Sequence, residues 1–193
     1  MDYDQFYKCS IKEIVDIIQE INLSETKFIF TLLGSCQRLS KWILDKEGIS
    51  KNLIGIYMPY SKEAINEFMQ TDTKNYVSEQ VTTNLAKANY LKFNNDKTSI
   101  NFISTAVSSS LKTNRLKRGK DRSYITIFSG NNIYKYKIDF LSKDYTRSIQ
   151  DFIISYFVLK QLYLHYYPQL GSNISIDNNF LPDGVKVTNI DKM

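Results

Sequence analysis

Histidine and cysteine are almost missing from this chain, which has one histidine, His165, and two cysteines, Cys9 and Cys36, in 193 residues. Two cysteines and one histidine cannot furnish a zinc ligand set, and neither a His-based metal cluster nor a His-centred triad is expected. Long apolar runs are missing too. The longest uncharged one, Phe152 to Leu159, falls far short of the roughly 20 residues a membrane-spanning helix needs. Met1 to Ser10 holds Asp2, Asp4 and Lys8 and no apolar core of signal-peptide length, so a cytoplasmic protein without a membrane partner is expected. What remains is the chemistry of hydroxyls, lysine, arginine, tyrosine and carboxylates, with no metal and no cofactor expected.

The length suits one domain with a single core, and 42% apolar with 23% charged residues is a globular composition. The net charge of +5 is modest but local. Lys112, Arg115, Lys117, Arg118, Lys120 and Arg122 crowd one short stretch against Asp121.

Ser10 with Glu13 reads as a capping box, and Ile11, Ile14, Val15, Ile18 and Ile21 follow at helical spacing. Lys27 to Leu33, ended by Gly34, suits a buried strand. A helix with Leu39, Trp42, Ile43 and Leu44 on one side comes next, then a strand from Leu53 to Met58 that stops at Pro59. Ser61 is a natural N-cap for a helix carrying Ala64, Ile65 and Phe68. Ser78 and Glu79 open another, with Val81, Leu85 and Ala88 on a common face. From Ile100 to Val107 a strand leads into the basic stretch, and Tyr124–Phe128 and Ile133–Leu141 form a hairpin around Ser129-Gly130-Asn131-Asn132. Ser142 or Asp144 caps a last helix with Ile149, Phe152, Ile153, Tyr156 and Phe157 inward. This order predicts a three-layer α/β/α domain over residues 1–166, with a mixed sheet that is parallel first and antiparallel later. Residues 167–193 read as an irregular tail.

Ligands of such sheets sit outside the carboxyl ends of the parallel strands. Gly34-Ser35-Cys36-Gln37, Pro59-Tyr60-Ser61 and the segment after Val107 emerge there. Ser35 is a candidate nucleophile, or alternatively the cap of the helix that holds Trp42. Arg147 at a helix start opposes the helix dipole, which suits a bound anion or a buried partner. The basic stretch allows a solvated turn, a nucleic-acid patch or an anion site. Nucleic-acid patches typically come with a wider basic face, and the remainder of the chain is nearly balanced, so a nucleic-acid partner is disfavoured. Guanidinium groups behind Ser108, Ser109 and Ser110 suit the phosphate of a small molecule.

Those segments, in this order, resemble the C-terminal domain of the CinA (competence- and damage-inducible) family over roughly residues 27–165. Ser35-Cys36-Gln37 is similar to the family's Ser-Cys-Thr-Gly-Gly turn. Tyr60-Ser61-Lys62-Glu63-Ala64 is similar to its Tyr-Ser-Asn-Glu-Ala, Val77-Ser78-Glu79-Gln80-Val81 to its Val-Ser-Glu-Glu-Val, and Arg147 to the arginine opening its final helix. Lys117-Arg118-Gly119 with Arg122 looks like the loop of divergent, eukaryotic-looking members.

The resemblance implies a nicotinamide mononucleotide amidohydrolase: a serine attacks the ring carboxamide, a lysine takes its proton, and ammonia leaves. It implies Ser35, Tyr60 and Lys62 as catalytic residues, and Ser108, Ser109, Ser110, Lys117, Arg118, Arg122 and Arg147 around a mononucleotide, in a homo-oligomer. Two departures stand out. Ile65 occupies the position of the family's lysine, so Lys62, nearly one helical turn earlier, is the substitute base, and Ser108-Ser109 replaces Thr-Gly. A catalytically silent relative that keeps the pocket is the alternative. The small-molecule reading requires Ser35, Tyr60 and Ser108 to meet around one cavity.

Overall fold

The computed structural model describes residues 1–93, 102–115, 117, 119–130, 132–166 and 180–190, for 165 and 166 the backbone alone. The chain opens with α1 (Tyr3–Leu23), a full two turns before the expected capping box. Asp2 caps it instead, its carboxylate accepting from the Gln5 amide at 2.8 Å, and Ser10 lies inside the helix, donating to the Phe6 carbonyl at 2.8 Å. A serine can satisfy itself in either way, which is why the pattern Ser-x-x-Glu misplaced the start.

β1 (Lys27–Leu33) is buried at every position after Lys27. It is the hub of the parallel half, with β2 (Leu53–Tyr57) on one side and β3 (Phe102–Ser110) on the other. A strand flanked on both edges and covered on both faces cannot alternate, and its apolar run follows from that. Between β1 and β2 lies α2 (Gln37–Leu44), which buries Leu39 and Ile43 but leaves Leu44 60% exposed. α3 (Lys62–Met69) is capped as expected, the Ser61 hydroxyl accepting from the Ala64 amide at 3.1 Å. α4 (Glu79–Phe93) buries Val81, Thr82, Leu85, Ala86 and Asn89, so its inward face is rotated away from Ala88, which is exposed.

The antiparallel half follows with β4 (Arg122–Phe128) and β5 (Ile133–Phe140), and α5 (Arg147–Tyr166) closes the core. The expected caps Ser142 and Asp144 bond each other in the approach to α5. Thr146 caps the helix, its hydroxyl accepting from the Ile149 amide at 3.3 Å. Residues 167–179 lie outside the described residues. Residues 185–189, read as part of an irregular tail, form β6 (Val185–Asn189), antiparallel to β5. A five-residue edge strand of mixed polarity gives too short a period to stand out from a tail.

The sheet order is β2-β1-β3-β4-β5-β6. One face packs on α1, α2 and α5 through Phe28, Phe30, Ile103, Val107, Ile125 and Ile138, and the other on α3 and α4 through Leu33, Ala106, Ile65, Val81 and Leu85. The result is the mixed-sheet, three-layer α/β domain expected. α5 is buried along its whole middle, from Gln150 to Tyr163. Among the described residues no helix is long and apolar enough to cross a membrane.

Candidate functional site

β1 leaves the sheet through a turn of unusual backbone. Gly34 has φ +80° and Cys36 φ 68°, both left-handed, with Ser35 held between them. A side chain on Gly34 would put its Cβ 2.7 Å from the Ser109 carbonyl oxygen, so only glycine lets β1 and β3 close here. Cys36 has no such excuse and carries strain of the kind concentrated at functional turns.

Ser35 is fully buried, and its Oγ lies 2.6 Å from the Oγ of Ser109, which lies 2.7 Å from the Oγ of Ser123. The register explains this chain of hydroxyls. Leu33 pairs with Ser108 across β1 and β3, and Ser109 pairs with Ser123 across β3 and β4, so the ends of three strands bring their serines to one face. Ser35 also donates to the Cys36 sulfur at 3.7 Å. Burial first, and then the nearby Asp151 charge, push the Cys36 thiol well above the ordinary range, so it stays protonated and is no nucleophile.

α5 supplies the other wall. Arg147 donates from Nη2 to the Gly34 carbonyl at 3.0 Å. Asp151, 3% exposed, accepts from the backbone amides of Gln37 and Arg38 at 3.2 and 3.3 Å and so caps α2 from a distance. Ser35 is therefore not the helix cap; Cys36 occupies that position and makes no side-chain cap bond. The Arg38 guanidinium lies 3.7 Å from Asp151 and donates to the carbonyl and hydroxyl of Ser148.

The basic stretch divides. Lys117 turns back onto the strand end, paired with Asp121 and donating to Ser110 Oγ at 3.0 Å and to the Leu111 carbonyl at 2.8 Å. Gln150 joins this knot to α5, donating to Asp121 at 2.8 Å and accepting from the Lys112 amide at 2.8 Å. Partial burial works against the Asp121 charge, but hydrogen bonds from Lys117 and Gln150 and the Lys117 and Lys112 charges outweigh it and hold the carboxyl below its ordinary range. Arg115 and Lys120 are exposed, and Arg118 lies outside the described residues.

The expected constellation is thus only partly assembled. Ser35, Ser109 and Arg147 come together. Ser108 does not join them: successive strand residues point to opposite faces, and its hydroxyl donates to the Tyr76 carbonyl at 2.6 Å on the α4 side. Arg122, in register with Ser110, also lies on that side, with its guanidinium carbon 5.8 Å from the Tyr124 ring centroid. Tyr60 is 75% exposed and Lys62 is exposed at the start of α3, whereas Ser35 is sealed. Ile65 is 7% exposed in the apolar cluster with Leu33 and Val81. One hydroxyl, that of Ser109, and the Cys36 thiol are the side-chain hydrogen-bond partners of Ser35 in this arrangement, and neither is a base at neutral pH.

Ser123, Gln150, Asp151 and Arg38 escaped the sequence reading. Asp151 left a trace, as a carboxylate one residue ahead of the longest uncharged run. Ser123 left none, because its meeting with Ser109 depends on the register across an eleven-residue connection, 111–121.

No protein-family model and no curated protein matches this chain. Solved structures do. A competence/damage-inducible protein from Agrobacterium tumefaciens superposes with a TM-score of 0.65 at 13% identity, covering 80% of this chain and 94% of that one. CinA-superfamily proteins from Enterobacter cloacae and Escherichia coli give TM-scores of 0.62 and 0.60 at 14% identity each, covering 79% and 77% of this chain and 92% and 88% of theirs. At such identities the likeness establishes the fold alone, an α/β fold shared with these proteins.

Proposed function

We propose that this CinA-fold domain binds a pyridine mononucleotide without hydrolysing it, as a catalytically silent relative of the nicotinamide mononucleotide amidohydrolases. It does so on the Ser35–Arg147 side of the sheet alone, because Tyr60 and Ser108 do not meet Ser35 around the one cavity expected from the sequence. The observation that carries this reading is the environment of Ser35. Its hydroxyl stands at the carboxyl end of the central strand, beside Arg147, yet its partners are Ser109 and the Cys36 sulfur, and Ile65 buries an aliphatic side chain in the core at the lysine position. Arg147 faces the phosphate in this reading, which does not draw on Ser108, Ser110 and Arg122, since these lie on the opposite side of the sheet. A cytoplasmic homo-oligomer accompanies it.

Calorimetric titration with nicotinamide mononucleotide is expected to show saturable binding that Arg147→Ala weakens, with no ammonia released. An empty titration overturns the reading. Light scattering reports the oligomeric state.

The second reading is hydrolysis, favoured by the strained turn that holds Ser35 at the end of β1. In it Ser35 Oγ adds to the carboxamide carbon as its proton passes to Lys62 acting as the base. Lys62 returns that proton to the departing ammonia, and water then cleaves the ester to release the free acid and regenerate Ser35. Ammonia release abolished by Ser35→Ala and by Lys62→Met establishes this reading in place of the first.

A further inference from the structure

Two rows of side chains on the α3/α4 side of the sheet stand beyond the reach of α4. That helix meets β4 where Thr82 and Thr83 bond Thr126, and β5 where Glu79 pairs with Lys135 at 2.9 Å. Glu79 is its first residue, so the rows nearer the 111–121 connection carry no helix of the described chain. Strand register fills them. One row runs Ser110, Arg122, Asp139, Lys186 from β3 to β6, and the next runs Ser108, Tyr124, Lys137, Thr188. The reverse side of the same strands carries Ile125, Ile138 and Val187 into the core, so the pleat leaves the polar set on this side, where Tyr76 covers Ser108 and the other members stay partly or fully exposed.

These rows supply the wider basic face that the linear sequence does not display. Lys186 is exposed, Lys137 is 31% exposed, and Arg122 is half-buried with an Nε that has no hydrogen-bond partner. Exposed Arg115 and Lys120 continue the track along the connection that ends in Arg122. Against these cations the two rows set Asp139, engaged by Lys137 at 2.6 Å. At ~4.8 Å between strands, a row across four strands spans about 14 Å, enough to follow a chain of phosphates and too long for one anion.

We infer that this face and the exposed cations of the 111–121 connection bind single-stranded nucleic acid. The cations track the backbone, and the Tyr124 ring beside the Arg122 guanidinium offers a base a surface to stack on. A membrane surface fits poorly, since the rows carry no aliphatic side chain to insert. An acidic peptide would use the charges but not the ring. The inference is independent of the mononucleotide reading, because Ser35 and Arg147 lie on the opposite side of the sheet.

Fluorescence anisotropy of the full chain with a labelled single-stranded oligonucleotide tests this. Engagement of about four phosphates predicts a slope of log affinity against log salt near −3, at about 0.7 per phosphate. The double variant Lys120→Glu/Lys186→Glu, both positions exposed and the fold checked by circular dichroism, is expected to weaken binding by roughly tenfold or more and to reduce that slope by about 1.4. Salt-insensitive binding, an unaffected double variant, duplex DNA bound as tightly as the single strand, or displacement by polyglutamate at equal charge would each overturn it.

Discussion

The carboxylate of Asp151, deep in α5, accepts the backbone amide of Gln37 at the start of α2 at 3.2 Å. It therefore does the work of an N-cap across more than a hundred residues of sequence, and fills with the chain's own charge the helix end where an anion could otherwise sit. Asp151→Ala leaves two amides and the Arg38 guanidinium facing an apolar gap. We expect it to destabilise the domain by about 1–3 kcal/mol, with Asp151→Asn losing less because one acceptor remains. Urea unfolding measures both; equal losses would show that the carboxylate charge, and not its capping oxygen, matters.

Gly34 and Ser109 form a second close pair. Gly34→Ala combines a left-handed backbone with a Cβ 2.7 Å from the Ser109 carbonyl, and a loss of about 1–3 kcal/mol is expected. Ser109→Ala deprives both Ser35 and Ser123 of a buried partner and should cost about 1–3 kcal/mol. A neutral Ser109→Ala would mean that water replaces the missing hydroxyl.

Asp121 makes stability depend on acid. Its native carboxyl is held below the ordinary value of 3.8, so its contribution is fully present above that pH and disappears as pH falls through the lowered native value. Asp121→Asn should accordingly be less stable than the parent chain at neutral pH, with the gap closing only in strong acid. Unfolding curves of the two chains from pH 7 to about pH 2 report this, and a gap that widens on acidification has the wrong sign.

Lys160 is 1% exposed and donates to Glu13 of α1 at 2.8 Å, its ammonium 4.5 Å from the Phe180 ring centroid. The same glutamate accepts from Tyr156, whose hydroxyl is pushed up first by burial and then by Glu13, and so remains a donor. Glu13→Leu strands a buried cation and is expected to cost about 3–5 kcal/mol. Adding Lys160→Met should recover most of that loss in a double-mutant cycle, which additive losses would contradict.

The α/β layering and the change from parallel to antiparallel were legible because period and turn residues are local. Lys27–Leu33 is short and apolar throughout, Ser61 and Ser78 precede helices, and a Ser-Gly-Asn-Asn turn joins two strands. The first and last helix starts were misjudged where two polar residues competed for one cap, as Asp2 did with Ser10 and Thr146 with Ser142. β6 was hidden by its brevity.

The sequence by itself determined which chemistry is available, namely hydroxyls and cations with scarcely any histidine or cysteine, and which elements carry it. Only the tertiary structure decided which of these groups meet. Strand pleat sends Ser109 to Ser35 and its neighbour Ser108 to Tyr76, register joins Ser123 to Ser109 and Lys186 to Arg122 by way of Asp139, and the pitch of α5 brings Arg147 and Asp151 onto the β1–α2 turn. Composition and local periodicity survive in any arrangement of the chain, whereas the side of the sheet on which a serine lies changes with a single residue of register.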